Sequence, residues 1–285
     1  MKKTVTTLQK QKNQGNKISM LTAYDYTTAR LMDAAGVDAL LVGDSLGMVM
    51  LGYEDTLQVT MDDMIHHSRA VRRGAKEALV VTDMPFLSYH VSVEEAVSNA
   101  GWLVKEGLAE AVKLEGGAAF SEVIRAITRA QIPVVAHLGL TPQSVNAFGG
   151  FKVQGKSLAA AEELIADAVA VEAAGAVAVV LEGIPAPLAA VITERLQIPT
   201  IGIGAGAGTD GQVLVYQDML GMYEELQPKF VKRFAEAGQL FRDAFVNYRE
   251  EIQQGLFPTE NHSYSLAPEV IAALKEKGDG YANRN

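Results

Sequence analysis

Four carboxylates, a hydroxyl, a lysine and a histidine stand at the ends of short apolar runs in this chain. Ala39-Leu40-Leu41-Val42-Gly43 ends in Asp44-Ser45, and Leu79-Val80-Val81-Thr82 ends in Asp83. Ala111-Val112-Lys113-Leu114 ends in Glu115, Pro133-Val134-Val135-Ala136 in His137, and Val177-Ala178-Val179-Val180-Leu181 in Glu182. If the runs are neighbouring strands, Asp44, Asp83 and Glu115 crowd together, and three uncompensated carboxylates repel until one takes a proton. A hard divalent cation removes that conflict. Oxygen-only donors with no His/Cys cluster favour magnesium, then manganese. The alternative is that each acid caps the helix that follows it.

Lys113 lies two residues before Glu115, so on a strand both face the same side. A lysine inside a barrel mouth needs an anionic partner. It can hold a substrate carboxylate or oxyanion, form a Schiff base, or pair with a neighbouring acid. His137 fits either a substrate-orienting donor or a buried histidine bonded to a carbonyl. Ser45 fits a substrate contact or a cap, and no Gly-x-Ser-x-Gly elbow surrounds it. Glu182, well removed from Asp44 in strand order, is placed as a general base across the pocket from a metal, or as a salt-bridged acid.

Continuous apolar runs suit parallel strands covered on both faces by helices. Strand-like and helix-like segments alternate from Lys17 onward, with a seventh strand over Thr200–Gly204 and an eighth over Gln212–Tyr216. The predicted fold is a single-domain (β/α)8 TIM barrel, whose strand C-termini carry the active site. Residues 1–16 read as an N-terminal arm with one helical turn. Residues 17–256 read as the barrel with a C-terminal helix from Pro228 to Gln253, and 257–285 as a tail. Thr60 and Ser92 are the expected caps of the helices that follow them. The loop 139–156 is a candidate lid. Gly202-Ile203-Gly204-Ala205-Gly206-Ala207-Gly208 fits a phosphate site or a tight turn packed against a neighbour.

The chain has 285 residues, 48% hydrophobic and 21% charged, enough for a substantial core. A net charge of −9 disfavours nucleic acid as a partner. The absence of cysteine excludes disulfides, thiolate metal sites and cysteine nucleophiles. With no leader-like segment and no run long enough to span a bilayer, the expected setting is cytoplasmic, without membrane association.

The segment from Leu41 to Val49 with Gly52-Tyr53, then Asp83-Met84-Pro85-Phe86 and Val112-Lys113-Leu114-Glu115-Gly116-Gly117, resembles the ketopantoate hydroxymethyltransferase family. So do Ala136 to Gln143, Leu181-Glu182-Gly183-Ile184-Pro185, and Ile201 to Gly206 with Asp210-Gly211-Gln212. The resemblance implies a magnesium-dependent transferase of pantothenate biosynthesis. Such an enzyme moves a hydroxymethyl group from the co-substrate 5,10-methylenetetrahydrofolate to 3-methyl-2-oxobutanoate through a magnesium-stabilised enolate. By position it makes Asp44, Asp83 and Glu115 metal residues. Asp44, Ser45, Asp83, Lys113 and His137 become ketoacid contacts, and Glu182 the proton acceptor. It also implies a homodecamer of paired pentamers. The competing readings are a magnesium-dependent lyase or mutase of the isocitrate lyase/phosphoenolpyruvate mutase type, and a non-catalytic barrel that binds a 2-oxo acid.

Overall fold

The eight expected strands form, and they close on themselves in chain order. They are β1 (Ile18–Thr22), β2 (Ala39–Val42), β3 (Leu79–Asp83), β4 (Ala111–Glu115), β5 (Val134–Gly139), β6 (Ala178–Glu182), β7 (Thr200–Ile203) and β8 (Gly211–Leu214). Every pair is parallel, including β1 with β8. The computed structural model describes residues 1–223 and 228–278. Two compact units divide them, one ending at Ala235 and the other beginning at Glu236. The first unit is the predicted (β/α)8 barrel.

Its helices are α1 (Val5–Asn13), α2 (Tyr26–Ala34), α3 (Leu46–Val49), α4 (Met61–Gly74), α5 (Val93–Lys105), α6 (Ser121–Arg129), α7 (Val145–Phe148), α8 (Leu158–Ala174), α9 (Ala186–Arg195) and α10 (Tyr216–Met219). Side chains alternate along each strand. Met20, Leu41, Val81, Val135, Val180 and Val213 fill the barrel interior. Leu40, Val42, Val80, Val112, Leu114 and Leu181 face outward and pack beneath the helices. Thr60 and Ser92 cap α4 and α5 as expected, accepting from the N–H groups of Asp63 and Glu95.

The N-terminal arm is more ordered than one turn. α1 has nine residues and sends Leu8, 3% exposed, into the interior cluster at the base of the barrel. Lysines on either side of Leu8 reach acids that precede three strands. Lys2 pairs with Glu110 at 2.7 Å, Lys3 with Asp38 at 2.9 Å and Lys12 with Asp210 at 2.8 Å. The sequence concealed this because only Val5 and Leu8 are apolar in the helix.

The C-terminal helix begins later than expected. Residues 228–235 run without a helix because Phe230 lies over the bare backbone of Gly204, where a Cβ would stand 2.7 Å from its ring. The N–H of Phe234 donates to the Met219 carbonyl at 2.7 Å. The second unit holds α11 (Ala237–Gln253) and α12 (Pro268–Gly278). No residue of α11 is buried, and Phe245 and Tyr248 are among its exposed side chains. Of the expected tail, residues 279–285 lie outside the described residues. Among the described residues no helix is long and apolar enough to cross a membrane.

Candidate active site

Strand parity builds the site. Two residues beyond inward-facing Val81 is Asp83; beyond Ala111 come Lys113 and then Glu115; beyond Val135 is His137; and beyond Val180 is Glu182. The register sets Asp83 beside Lys113 and Glu115 beside His137. The upper layer of the barrel interior is therefore polar where the layers below it are apolar. Asp44 and Ser45 reach the same rim from the turn after β2. Gly43 is required there, since a Cβ would stand 2.8 Å from the Ser45 hydroxyl. All seven residues singled out in the sequence line one cavity of about 100 Å³.

Within it the charges are shared. Lys113 Nζ lies 2.9 Å from Asp83 Oδ1, an ion pair off the line of a good hydrogen bond, and 3.3 Å from His137 Nδ1. His137 bridges two acids, with Nδ1 3.3 Å from Glu115 Oε1 and Nε2 3.2 Å from Glu182 Oε2. Asp83 Oδ2 accepts from the backbone N–H of Asp44 at 3.1 Å. These acids do not act as helix caps. Nor does Ser45, which sits at the start of α3 but exchanges a hydrogen bond with the Tyr24 hydroxyl at 2.8 Å instead.

Burial, joined by the charges of Asp83 and Glu115, pushes the Asp44 carboxyl up to about 8. Burial also raises Asp83, against the pull of Lys113. For Lys113 burial acts downward, yet the surrounding carboxylates more than reverse it and its pKa is raised. His137 is likewise opposed by burial and by Lys113, but its bonds to Glu115 and Glu182 carry it up to about 9.

Four carboxyl groups thus face two cationic side chains. Asp83 Oδ1, Glu115 Oε1 and His137 Nε2 are buried without a well-directed hydrogen bond. The donor set is all oxygen apart from the imidazole, which fits a hard divalent cation. Among the described residues no three His, Asp or Glu side chains already stand arranged around a metal position. Asp83 is drawn instead to Lys113, and Glu115 to the Gln143 N–H at 3.0 Å.

Gln143 is the functional residue that the sequence reading passed over. Its side chain, 5% exposed, donates to Asp44 Oδ2 at 2.8 Å and to the Met84 carbonyl at 3.0 Å, and accepts from Tyr89 at 2.7 Å. Tyr89 in turn accepts from the Glu115 N–H at 3.2 Å. Gln143 thereby fixes Asp44 and Glu115 relative to each other. Nothing in a lone glutamine on a rim loop signals a partner that far away in the chain.

A larger cavity, of about 630 Å³, shares Asp44, Ser45 and Glu182 with the small one as lining residues. The loop 139–156 contributes Phe151 and Val153 to it, and α3 contributes Met48 and Val49. The glycine-rich segment after β7 packs against neighbours, while Gly204 and Gly206 also line the larger cavity. Gly204 receives Phe230, and Gly208 closes on Ala190 of α9, where a Cβ would stand 2.9 Å from the alanine methyl.

The ketopantoate hydroxymethyltransferase family profile matches residues 2–260. The 3-methyl-2-oxobutanoate hydroxymethyltransferase of Clostridium novyi is 63% identical over 96% of this chain and 100% of its own length. The chain belongs to the ketopantoate hydroxymethyltransferase family. It is a transferase of that family, and the enzyme of the same name from Enterococcus faecalis is 60% identical over the same shares of both chains. Among solved structures the family's barrel is similar to a phosphonopyruvate hydrolase in complex with oxalate and Mg++, with a TM-score of 0.61, 13% identity, and 99% and 97% of the two chains covered. A 2,3-dimethylmalate lyase of the PEP mutase/isocitrate lyase superfamily matches with a TM-score of 0.58, 16% identity, and 99% and 100% covered. At such identities the likeness is one of fold, so the competing lyase or mutase reading shares the barrel and nothing more.

Proposed function

We propose that this protein transfers a hydroxymethyl group to 3-methyl-2-oxobutanoate, taking the carbon from 5,10-methylenetetrahydrofolate and giving 2-dehydropantoate and tetrahydrofolate with uptake of one water. The observation that carries this reading is the pair of joined cavities. A polar chamber of about 100 Å³ has room for a small ketoacid, and an apolar one of about 630 Å³ has room for a bulky carbon donor. Glu182 lines both. A carboxylate at that junction is placed to take the C3 proton of the ketoacid, which leaves a nucleophilic carbon facing the larger chamber.

Lys113 and His137 hold the ketoacid carboxylate and share the negative charge that develops on deprotonation. Ser45, fixed by Tyr24, offers the ketoacid a hydroxyl. Asp44, Asp83 and Glu115 would hold a magnesium ion, which supplies Lewis-acid stabilisation of charge on the ketoacid oxygens. Gln143 keeps Asp44 and Glu115 in place for that task. The uncovered apolar side chains of α11, such as Phe245, suit the homo-oligomer that the family resemblance implies. A cytoplasmic setting suits a biosynthetic enzyme of this kind.

The test is proton NMR of 3-methyl-2-oxobutanoate in D2O with the protein and magnesium. Loss of the C3 proton signal, absent with pyruvate as substrate, is expected. Persistence of that signal, with and without tetrahydrofolate, would overturn the reading.

A further inference from the structure

The larger cavity contains one acid that the ketoacid chemistry does not use. Asp218 sits in α10, directly after β8, and lines the chamber of about 630 Å³. It is half-buried, and its carboxylate makes no hydrogen bond or ion pair among the described residues. Burial alone pushes it up to about 6. The walls are mostly apolar, with Met48, Val49, Leu140, Phe151 and Phe230 among them, and among the described residues Lys229 is the one cationic side chain that lines the chamber. An acid held without a partner in such a chamber costs stability unless a ligand brings the donors. Apolar walls with one carboxylate left over from the ketoacid chemistry suit a planar heterocycle that presents two adjacent N–H donors on one edge.

We infer that Asp218 is the residue that reads the carbon donor, its two carboxylate oxygens accepting from the ring N–H and the exocyclic amino group of a reduced pterin. This rests on the proposed folate-dependent transfer. Paired charge-assisted bonds of this kind are both strong and directional, because two parallel N–H groups match the spacing of carboxylate oxygens. The aromatic and methionine side chains take the ring faces, which fixes its plane. Asp44 and Glu182, lining the same chamber, then have the carbon-bearing part of the donor within the space they share with the ketoacid. Asp218 acts here as a binding and specificity residue and takes no part in moving protons.

The experiment compares the full-length protein with its Asp218→Asn variant by titration calorimetry, with magnesium present. The ligands are tetrahydrofolate, a tetrahydropterin lacking the benzoylglutamate tail, and 3-methyl-2-oxobutanoate. The amide keeps the shape but replaces one acceptor with a donor that opposes the ring edge. The expected result is a ten- to hundredfold loss of affinity for both tetrahydrofolate and the tail-less pterin. Ketoacid affinity is expected to change less than twofold. Equal affinity of both proteins for the pterin would overturn the inference. So would a loss confined to tetrahydrofolate, which would put Asp218 at the tail, or a parallel loss of ketoacid affinity, which would make it a support of the whole rim. If the unmodified protein bound the ketoacid but neither pterin, the donor assignment itself would fail instead.

Discussion

Replacing Gln143 with methionine isolates the contact that ties Asp44 to Glu115. Methionine keeps the length and nearly the volume of glutamine, so no cavity opens. Three side-chain bonds disappear: those to Asp44 Oδ2, to the Met84 carbonyl and to the Tyr89 hydroxyl. A buried polar group left unsatisfied costs about 1–3 kcal/mol, and more where it is charged. Tyr89 keeps its bond from the Glu115 N–H, so its share is small. The expected loss of stability is therefore about 3–5 kcal/mol, readable as a lowered midpoint in urea unfolding. A second effect is more specific. The Gln143 amide holds the Asp44 carboxyl down, and without it the value of about 8 rises further. A cation entering at Asp44 must then displace a more tightly held proton. The magnesium Kd should therefore rise at neutral pH, by about tenfold for each pKa unit that Asp44 gains. Calorimetric titration of metal-free protein checks this. A stability loss under about 1 kcal/mol together with an unchanged magnesium Kd would refute the positioning role.

Glu182→Gln should bind the ketoacid within about threefold of the unmodified protein while C3 proton exchange falls by about 10²–10⁴-fold; unchanged exchange in D2O would remove Glu182 from the base role. Tyr24→Phe frees the Ser45 hydroxyl from its 2.8 Å partner, and ketoacid affinity measured by calorimetry should fall about three- to tenfold. No change would mean that Ser45 does not touch the ketoacid. The pH dependence of stability follows from two raised pKa values, Asp44 from 3.8 to about 8 and His137 from 6.5 to about 9. Each group holds its proton more tightly when folded. The Asp44 contribution is full below 3.8 and lost as pH rises to about 8; that of His137 is full below 6.5 and lost by about 9. The melting temperature of the metal-free protein should thus fall between pH 6.5 and 9, and magnesium should offset the fall. A flat or rising profile by calorimetry would contradict the burial argument.

Much of this site could be read in the sequence because strands have a period of two. Once a buried run is placed, its end residue and the one two before it must face inward, which is how Lys113 and Glu115 arrive together. The glycine-rich segment carries no such signal because glycine permits either a ligand or a neighbour to approach, and the approach of Phe230 to Gly204 is visible only in the fold. The C-terminal helix starts at Ala237 although its amphipathic pattern extends back to Pro228, because the tertiary contact of Phe230 with Gly204 overrides that pattern. Gln143 and Tyr24 escaped notice because polar residues on loops and at strand exits carry no period. Their partners are set by how the loop 139–156 and the turn after β1 fold over the rim.

The two ends of the barrel treat the same residue types in opposite ways. At the base, Asp38, Glu110 and Asp210 each receive a lysine from the N-terminal segment, and Glu110 has Arg72 beside it as well, so every acid has at least one cation. Leu8 closes the centre between them. That arrangement leaves nothing for a ligand to complete. At the mouth, Asp44, Asp83, Glu115 and Glu182 share only Lys113 and His137, and those two cations stand 3.3 Å apart, opposing each other. The chain contains lysines enough to neutralise the mouth as it does the base. An excess of acid kept buried there, with His137 strung between Glu115 and Glu182, suits the proposed function, in which a cation and an anionic ketoacid would enter together and restore the balance. On that proposal, the geometry that makes the mouth costly in isolation is the geometry that would select its occupants.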